Sequence, residues 1–276
     1  MDSRMFRFAR RGAVEYLEAE ALAGLGFVEH AFCTRRGGVS TGDFSSLNAG
    51  FRVGDQEEAV MRNLARVGGA FAIPADGLVL MRQVHGGTIR VIAGDGPPPA
   101  CVPECDGLIT ARPGVALAVK TADCVPLFFV DPVRRVIGAA HAGWRGTALG
   151  MAGRMVDALA AGFGSHPADL LAVIGPAVGP CCYQVDQPVR GAFAAHAGAE
   201  RFLSPCPGEG RWMLDLALAN RLQIEARGVP GGSILCAGLC TACCPDLFFS
   251  HRGSSGCTGR QVNLLMLRGT DARKNA

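Results

Sequence analysis

The sequence has little lysine and few aromatic residues other than phenylalanine. Lys120 and Lys274 are the only lysines, so the positive charge of the 27 Lys+Arg residues is nearly all guanidinium; tyrosine and tryptophan number two each. The formal net charge is only +3, and no basic run is interleaved with aromatic residues. Because nucleic-acid binding is usually marked by a basic patch or stripe, we expect no nucleic-acid partner.

The sequence also lacks an export signal and a long apolar run. The first 14 residues carry Arg4, Arg7, Arg10 and Arg11 with no apolar stretch behind them, unlike a secretory signal. No window approaches the roughly 18 apolar residues of a membrane helix. Twelve cysteines are scattered along 276 residues, which favours reduced thiols over the disulfide framework of a small secreted chain. We therefore expect a cytoplasmic protein with no membrane partner.

Common cofactor motifs are missing as well. The chain has no G-x-x-x-x-G-K-[ST] phosphate loop, no G-x-G-x-x-G after a strand and no G-x-S-x-G elbow. It has no H-x-E, the motif that known zinc deaminases use, and no H-x-H pair of the kind that multicopper centres repeat. Any catalytic site must be assembled from separate segments.

The remaining composition is that of a folded globular chain, with 49% hydrophobic and 18% charged residues. Helical spacing of apolar residues predicts helices at 57–69, from a cap at Thr147 to Gly164, and from Leu214 to near Gly228. Short apolar runs predict strands at 78–84, 115–119, 126–130, 136–140, 170–174 and 246–250. Because strands occur both in adjacent pairs and next to helices, the pattern favours an α+β fold over strict βαβ alternation.

Three polar segments at strand ends carry candidate metal ligands. They are R-Q-V-H-G ending at Gly86, T-A-D-C ending at Cys124, and H-A-G-W-R-G beginning at His141. Two imidazoles and one thiolate, from His85, Cys124 and His141, suit Zn²⁺ and leave a fourth position open, as in catalytic sites. Spacing alone leaves a second interpretation open, in which a buried thiol and two hydrogen-bonded histidines bind no metal.

The ordered motifs resemble a known family. T-R-R-G-G-V-S at 34–40, L-N-A-G at 47–50, Q-V-H-G, T-A-D-C, H-A-G-W-R-G and F-F-S-H-R at 248–252 span nearly the whole chain. They are similar to the laccase-domain or multicopper polyphenol oxidase proteins, now described as purine nucleoside phosphorylases, which include a peptidoglycan editing factor. The resemblance implies that His85, Cys124 and His141 bind zinc.

The resemblance also implies the fold and its extent. We expect one layered α/β/β/α domain over residues 1–276, related to a cysteine-hydrolase toxin fold, with 1–20 and 270–276 as peripheral termini.

Three further residues are candidates for substrate binding. Arg35, in a glycine-flanked turn, and Arg145, four residues after His141, could bind an anion such as phosphate. Asn48 could hydrogen-bond a ribose or base. Each also has a structural interpretation, as a turn arginine in solvent, an ion pair and an Asx-turn residue, respectively.

Catalysis is expected to involve Cys124, His141 and Asp123. In a strand, Asp123 would point away from the metal; in a loop, it could orient a ligand histidine or act as a base. The cysteines at 181, 182, 240, 243 and 244 could form a second metal site, although a lone C-x-x-C is a weak signal and two of these residues resemble local variation.

The function implied by the resemblance is phosphorolysis of purine nucleosides (adenosine, inosine, guanosine or methylthioadenosine), with adenosine deamination as a companion activity. The substrates would be a purine nucleoside and phosphate. The alternative is an amidase that edits peptidoglycan precursors, in which zinc hydroxide or Cys124 attacks the amide. A copper-dependent phenol oxidase is disfavoured, because the chain has only six histidines. The preferred nucleoside and the oligomeric state stay open.

Overall fold

The fold is built on strands, which a computed structural model describes for residues 5–206 and 210–269. The strands are β1 Phe6–Arg11, β2 Val14–Ala19, β3 Val28–Cys33, β4 Leu78–Met81, β5 Ile89–Val91, β6 Cys101–Val102, β7 Gly107–Thr110, β8 Ala116–Thr121, β9 Val125–Asp131, β10 Val136–Ala142, β11 Leu171–Ile174, β12 Gln184–Val185, β13 Leu203–Pro205, β14 Trp212–Leu214, β15 Ile234–Cys236 and β16 Gln261–Leu267. The helices are α1 Glu20–Ala23, α2 Glu57–Ala70, α3 Trp144–Ala148, α4 Met151–Phe163, α5 Gln187–Ala192 and α6 Leu216–Glu225.

The strands form two large mixed sheets and one small sheet. The larger sheet has the order β1-β2-β3-β16-β8-β4-β6, and the second has the order β15-β11-β9-β10-β7-β5. Most neighbours are antiparallel, but β4 runs parallel to β6 and β8, β11 to β15, and β5 to β7. A third, three-stranded sheet has the order β12-β14-β13.

Alternating side chains divide the core into layers. On β9, Phe128 and Val130 pack between the two large sheets, and the Phe128 ring stacks on Phe32 of β3 with centroids 4.5 Å apart. Leu127 and Phe129 point the other way, into a cluster that includes residues of α4 and α6. On the far side, Val67 of α2 packs against the outer face of the larger sheet. This period-two alternation confirms the predicted mixed fold with α/β/β/α layers.

The three predicted helices are present; α2 starts at Glu57 as predicted, and the starts of the other two are corrected. Helix α4 ends at Gly164 as predicted, because Gly164 adopts a left-handed φ of 64° that closes the last turn. Its start is not capped by Thr147, which lies inside α3; α4 begins after Gly150, at a φ of 79°. Leu214 belongs to β14, and α6 is capped by Asp215, whose side chain accepts a hydrogen bond from the Leu218 N–H.

The predicted strand at 246–250 is wrong. In the structure this segment is a turn followed by irregular backbone. Its apolar residues Phe248 and Phe249 are buried without ladder pairing, and the Gln261 side chain satisfies both the N–H and the carbonyl of Phe249. An apolar run therefore predicted burial correctly but not the hydrogen-bond partner.

The N-terminal segment contributes to the larger sheet. Strand β1 is one edge strand of this sheet, and β2 pairs beside it with Val14 and Leu17 fully buried. Residues 1–4 and 270–276, which belong to the termini expected to be peripheral, lie outside the described residues. Within the part of the chain that the structure describes, no helix is long and apolar enough to cross a membrane.

Candidate metal centre

The three predicted ligands meet where the chain passes from one large sheet to the other. His85 lies in the turn after β4, Cys124 in the link between β8 and β9, and His141 near the end of β10. Their ligand atoms all lie within 4.8 Å of one another. The two imidazole rings are 4.8 Å apart between centroids and nearly perpendicular, at 81°. The structure thus contains a candidate metal site at His85, Cys124 and His141.

Asp106 organises both histidines from beneath the site. Its Oδ1 lies 2.9 Å from Nδ1 of His141 and accepts a hydrogen bond from the His85 N–H at 3.0 Å. Its Oδ2 accepts from the N–H groups of Gly86 at 2.7 Å and Val84 at 3.2 Å. With Nδ1 of His141 bonded to the carboxylate, Nε2 faces Cys124 and is free to bind a metal, an arrangement common among metal-ligating histidines.

The electrostatics of the site favour a thiolate. Burial is the largest influence on Cys124 and opposes ionisation, but the charge of His141 and hydrogen bonds from both histidines outweigh it and lower the pKa to about 6. For His141, burial opposes protonation, but Cys124 and Asp106 outweigh it and raise the pKa to about 9. Because the metal-binding form of cysteine is the thiolate, the site presents the ligand that a metal needs.

Gly143 leaves room beside the three candidate ligands, because it has no side chain. Gly143 faces them, and a Cβ added there would lie 2.9 Å from Cys124 Sγ and 3.0 Å from His85 Cδ2. Nitrogen and sulfur donors in this number suit Zn²⁺, and three protein ligands leave one position for water or substrate.

The candidate metal site opens into a cationic cleft of about 800 Å³. This volume is in the usual range for sites that bind small molecules. The two carboxylates of its lining are Glu57 and Asp123. The cations of the lining are Arg52, Arg82, Lys120, Arg145, Arg252 and Arg260. This excess of positive charge favours an anionic ligand.

Arg145 lies where the sequence predicts it. It lines the cleft, is exposed, and stacks its guanidinium on the Trp144 ring at 4.3 Å from the centroid. Among the described residues it forms no ion pair, so the interpretation as a structural ion pair is not met.

Asp123 lies in a loop with a left-handed φ of 91°, and among the described residues its carboxylate hydrogen-bonds to neither histidine. Its Oδ1 accepts hydrogen bonds from the hydroxyls of Thr241 at 2.6 Å and Ser250 at 2.7 Å, and its Oδ2 accepts from the Arg252 N–H at 2.6 Å. Of the two roles considered for Asp123 in a loop, orienting a ligand histidine falls to Asp106 instead. Asp123 instead attaches the segment 241–252 to the metal-site loop.

Arg35 and Asn48 lie outside the residues that line the cleft. The Arg35 guanidinium donates to the carbonyls of Ser45 and Pro245 and stacks on Phe249 at 4.6 Å. Asn48 is fully buried, and its Oδ1 accepts from the Gly50 N–H at 2.8 Å, which forms the Asx turn of the structural interpretation. Arg35 therefore does not offer its guanidinium to the cleft, because its donors are directed at backbone carbonyls.

Several cleft residues were not found from the sequence. Lys120 is half-buried, and burial lowers its pKa; within the described chain its ammonium has no hydrogen-bond or ion-pair partner. Gln83 brackets the Lys120 backbone, donating to its carbonyl at 2.8 Å and accepting from its N–H at 2.9 Å. The available signal was that Gln83 begins the Q-V-H-G motif and that Lys120 directly precedes T-A-D-C.

The chain is similar in sequence and in structure to known proteins over most of its length. The sequence model of a family described as multi-copper polyphenol oxidoreductase laccase matches residues 29–268. Purine nucleoside phosphorylase YlmD of Geobacillus stearothermophilus is 43% identical over 254 residues, which are 88% of this chain and 89% of that protein. The crystal structure of YlmD from that organism has a TM-score of 0.87 at 38% identity, covering 96% of this chain and 99% of the other. That of the Bacillus licheniformis hypothetical protein YfiH has a TM-score of 0.89 at 37% identity, covering 97% and 100%.

Proposed function

The chain belongs to the family described as multi-copper polyphenol oxidoreductase laccase, and from this membership and the geometry of the cleft we propose that it is a zinc-dependent purine nucleoside phosphorylase. The name of its relatives supports the substrate class. The observation that carries the proposal is the position of His85, Cys124 and His141 at the wall of a cleft with six cationic side chains and two carboxylates.

The cleft residues match the two substrates of phosphorolysis. Trp144 and Tyr183 line it and offer aromatic faces to a purine, while Lys120 and Arg145 offer positive charge to phosphate. In the reaction, a phosphate oxygen forms a bond to C1′ of the sugar as the bond from C1′ to the purine nitrogen breaks. The electron pair of that bond leaves with the base, which then takes up a proton.

The residues of the chain contribute mainly by positioning and charge. Cations that hold phosphate against C1′ convert a reaction between two substrates into one within a single complex. The zinc ion, when bound by His85, Cys124 and His141, would supply a Lewis acid at the wall of the cleft. Asp106 keeps Nε2 of His141 available as a ligand, because it holds the other ring nitrogen.

Adenosine deamination is a companion activity that the cleft supports less well. Hydrolysis at C6 requires a group that moves protons beside the metal, and known zinc deaminases use a glutamate. Of the two carboxylates in the described lining, Asp123 already accepts three hydrogen bonds, and Glu57 belongs to the first turn of α2. We therefore propose phosphorolysis as the main activity.

Amide hydrolysis is the second candidate, and one observation favours it. Cys124, His141 and Asp106 form a chain of hydrogen bonds like that of a thiol hydrolase, with His141 between thiolate and carboxylate. In that reaction the Cys124 sulfur would bond to the carbonyl carbon as the C–N bond breaks, and His141 would give a proton to the leaving amine. Water would then attack the thioester, release the acid and free the sulfur, with its proton passing to His141. The presence of His85 favours metal binding over a thiol hydrolase, because a thiol nucleophile needs no second imidazole.

Copper oxidase chemistry is not proposed. Of the candidate metal clusters that the described residues form, only one includes histidine, and it includes two. A multicopper centre requires several such groups.

Replacing His85 separates the two candidates, because it removes a metal ligand and leaves Cys124, His141 and Asp106 in place. We choose His85→Asn, since His85 has a left-handed φ of 57° that asparagine tolerates. The assay follows inosine and adenosine with and without phosphate, separating bases, sugar phosphate and deaminated products. The matched control is His251→Asn, an exposed cleft histidine outside the ligand set.

We expect wild type and the control to release base and sugar phosphate only when phosphate is present, and His85→Asn to lose this activity with its zinc. Turnover by His85→Asn at the wild-type rate would contradict the proposal. Amide hydrolysis that survives in this variant and stops on alkylation of Cys124 would establish the second candidate instead.

A further inference from the structure

A second group of metal-ligating side chains lies apart from the His85 ligand set. Cys181, Cys182, Cys240 and Cys243 place their sulfurs within 4.8 Å of one another. The Cys243 Sγ lies 3.5 Å from that of Cys181 and 3.4 Å from that of Cys182. Around a tetrahedral ion with metal–sulfur bonds of about 2.3 Å, the sulfurs would be about 3.8 Å apart. The four sulfurs therefore have the spacing that one ion requires.

The sheet brings these cysteines together. Strands β11 and β15 are parallel neighbours, so the segments that follow them leave the sheet at the same edge. The first segment carries Cys181 and Cys182, and the second carries the C-x-x-C pair. A parallel bridge between Ala177 and Cys240 aligns the two segments just before the cysteines.

A backbone N–H group donates a hydrogen bond to one of the four sulfurs, as such groups do to thiolate ligands of metals. The Cys240 Sγ accepts a hydrogen bond from the Gly179 N–H at 3.2 Å. Glycine at position 179 favours the close approach, because a Cβ there would lie 3.3 Å from both Cys181 Sγ and Cys240 Cβ, which is tighter than an ordinary contact. Hydrogen bonds to ligating groups are a regular feature of metal sites.

We propose that Cys181, Cys182, Cys240 and Cys243 bind a second, structural zinc ion. Four thiolates in tetrahedral arrangement close the coordination shell and leave no position for substrate. A cluster of several irons is a poorer fit, since iron and sulfide would occupy the centre and hold the thiolates farther apart. Two of the four residues, Cys181 and Cys243, are exposed, so the ion can enter the folded chain.

The second ion would join the two segments that form one wall of the cleft. Tyr183, next to Cys182, lines the cleft, and Thr241, next to Cys240, donates to Asp123 beside the ligand Cys124. The ion would therefore fix the wall without touching substrate. Because the proposal rests on different residues from those of the His85 site, either can fail alone.

Metal analysis of the full-length protein, purified under reducing conditions, tests the site. We expect about two zinc ions per chain in wild type and about one in Cys243→Ser, with a further fall to near none when His85→Asn is added. The matched control is Cys244→Ser, which changes the adjacent cysteine outside the group and should leave the content near two. Equal zinc in wild type and Cys243→Ser, or iron in place of zinc, would overturn the proposal.

Alkylation of the wild-type protein gives an answer that does not depend on the folding of a variant. Peptide mass mapping should show Cys181 and Cys243 protected from iodoacetamide in the native protein and modified after chelation. Cys101, an exposed cysteine outside the group, should react at once in both samples. Prompt reaction of Cys181 and Cys243 before chelation would contradict a bound ion, as would a disulfide between any two of the four.

Discussion

At the scale of single residues, Asp106 fixes the geometry of the candidate metal site although it is not one of the three candidate ligands. It is fully buried and uses both oxygens to hold His141 and three consecutive backbone N–H groups around His85. These contacts lower its pKa against the opposing effect of burial. One carboxylate therefore fixes the relative positions of two ligands that lie far apart in the chain.

We expect Asp106→Asn to weaken zinc binding by about 10- to 100-fold, the usual effect of losing the partner of a ligating histidine. An amide has one acceptor oxygen in place of two, so its NH₂ group would face N–H donors. The measurement is competition with a chromogenic chelator. The control is Asp131→Asn, another buried aspartate that accepts two backbone N–H bonds at the far end of β9. Equal zinc affinity in wild type and Asp106→Asn would refute this role.

Lys120 is the second residue whose position has a functional consequence. Its half-buried ammonium lines the cleft without a partner in the described chain, and burial lowers its pKa. We expect Lys120→Gln to raise the KM for phosphate at least about tenfold, because a hydrogen bond to a charged group contributes about 1.5–3 kcal/mol.

Steady-state kinetics at varied phosphate checks this expectation. Lys120→Arg should restore most of the affinity, and Arg90→Gln, which removes an exposed cation outside the cleft, should have no effect. If Lys120→Gln has the wild-type KM for phosphate, Lys120 does not bind the anion.

At the scale of secondary-structure elements, the sequence predicted where helices and strands lie along the chain better than it predicted which strands pair with each other. The helix at 57–69, the end of α4 at Gly164 and the strands around Cys124 and His141 follow from local periodicity and glycine. The order of strands does not, since β16 inserts between β3 and β8 across more than a hundred residues. The segment at 246–250 shows the same limit, because Gln261 pairs with its backbone by a side chain that periodicity cannot reveal.

A histidine between two strands makes the stability of the larger sheet dependent on pH. His30 of β3 is 2% exposed, and its Nε2 accepts a hydrogen bond from the Ala19 N–H at 2.8 Å. Burial, with smaller contributions from Arg11 and Arg268, lowers its pKa from 6.5 to about 4. Between pH 6.5 and pH 4, His30 is protonated in the unfolded chain but stays neutral in the folded chain. The folded state is therefore most stable above pH 6.5, and this part of its free energy of unfolding is lost as the pH falls towards 4.

We expect His30→Gln to remove this dependence, since an amide oxygen can accept from Ala19 without titrating. Between pH 6.5 and 4, wild type should lose about 3 kcal/mol more free energy of unfolding than the variant. Urea unfolding at each pH gives the comparison, with His166→Gln as the control because His166 is exposed and also accepts a backbone N–H. Parallel pH profiles for wild type and His30→Gln would contradict the assignment.

At the scale of the whole molecule, the two sheets bring together ligands that the sequence separates. The sequence supplied His85, Cys124 and His141, because each stands in a motif of distinct composition. It missed Asp106, which lies 35 residues from His141 in a segment without such a motif. It also could not fix the direction of the Arg35 side chain, because a glycine-flanked arginine can turn towards a ligand or, as here, towards the carbonyls of Ser45 and Pro245.

The residues of the candidate metal site differ in their exposure to solvent. His141 and Asp106 are buried beneath the turn that carries His85, whereas His85 itself is exposed to the cleft. A ligand that enters the cleft therefore meets the metal site from the His85 side, with cations around it. This arrangement places charge and metal ligands in one cavity, which is what the proposed reaction requires.

The most direct test of the central proposal is the rate of phosphate-dependent base release from inosine, before and after removal of the metal. The protein is stripped with a chelator, checked by metal analysis and circular dichroism, and then titrated with zinc. We expect the folded, metal-free protein to be inactive, and zinc bound at His85, Cys124 and His141 to restore the rate. Full activity in folded protein that contains no metal would contradict the account.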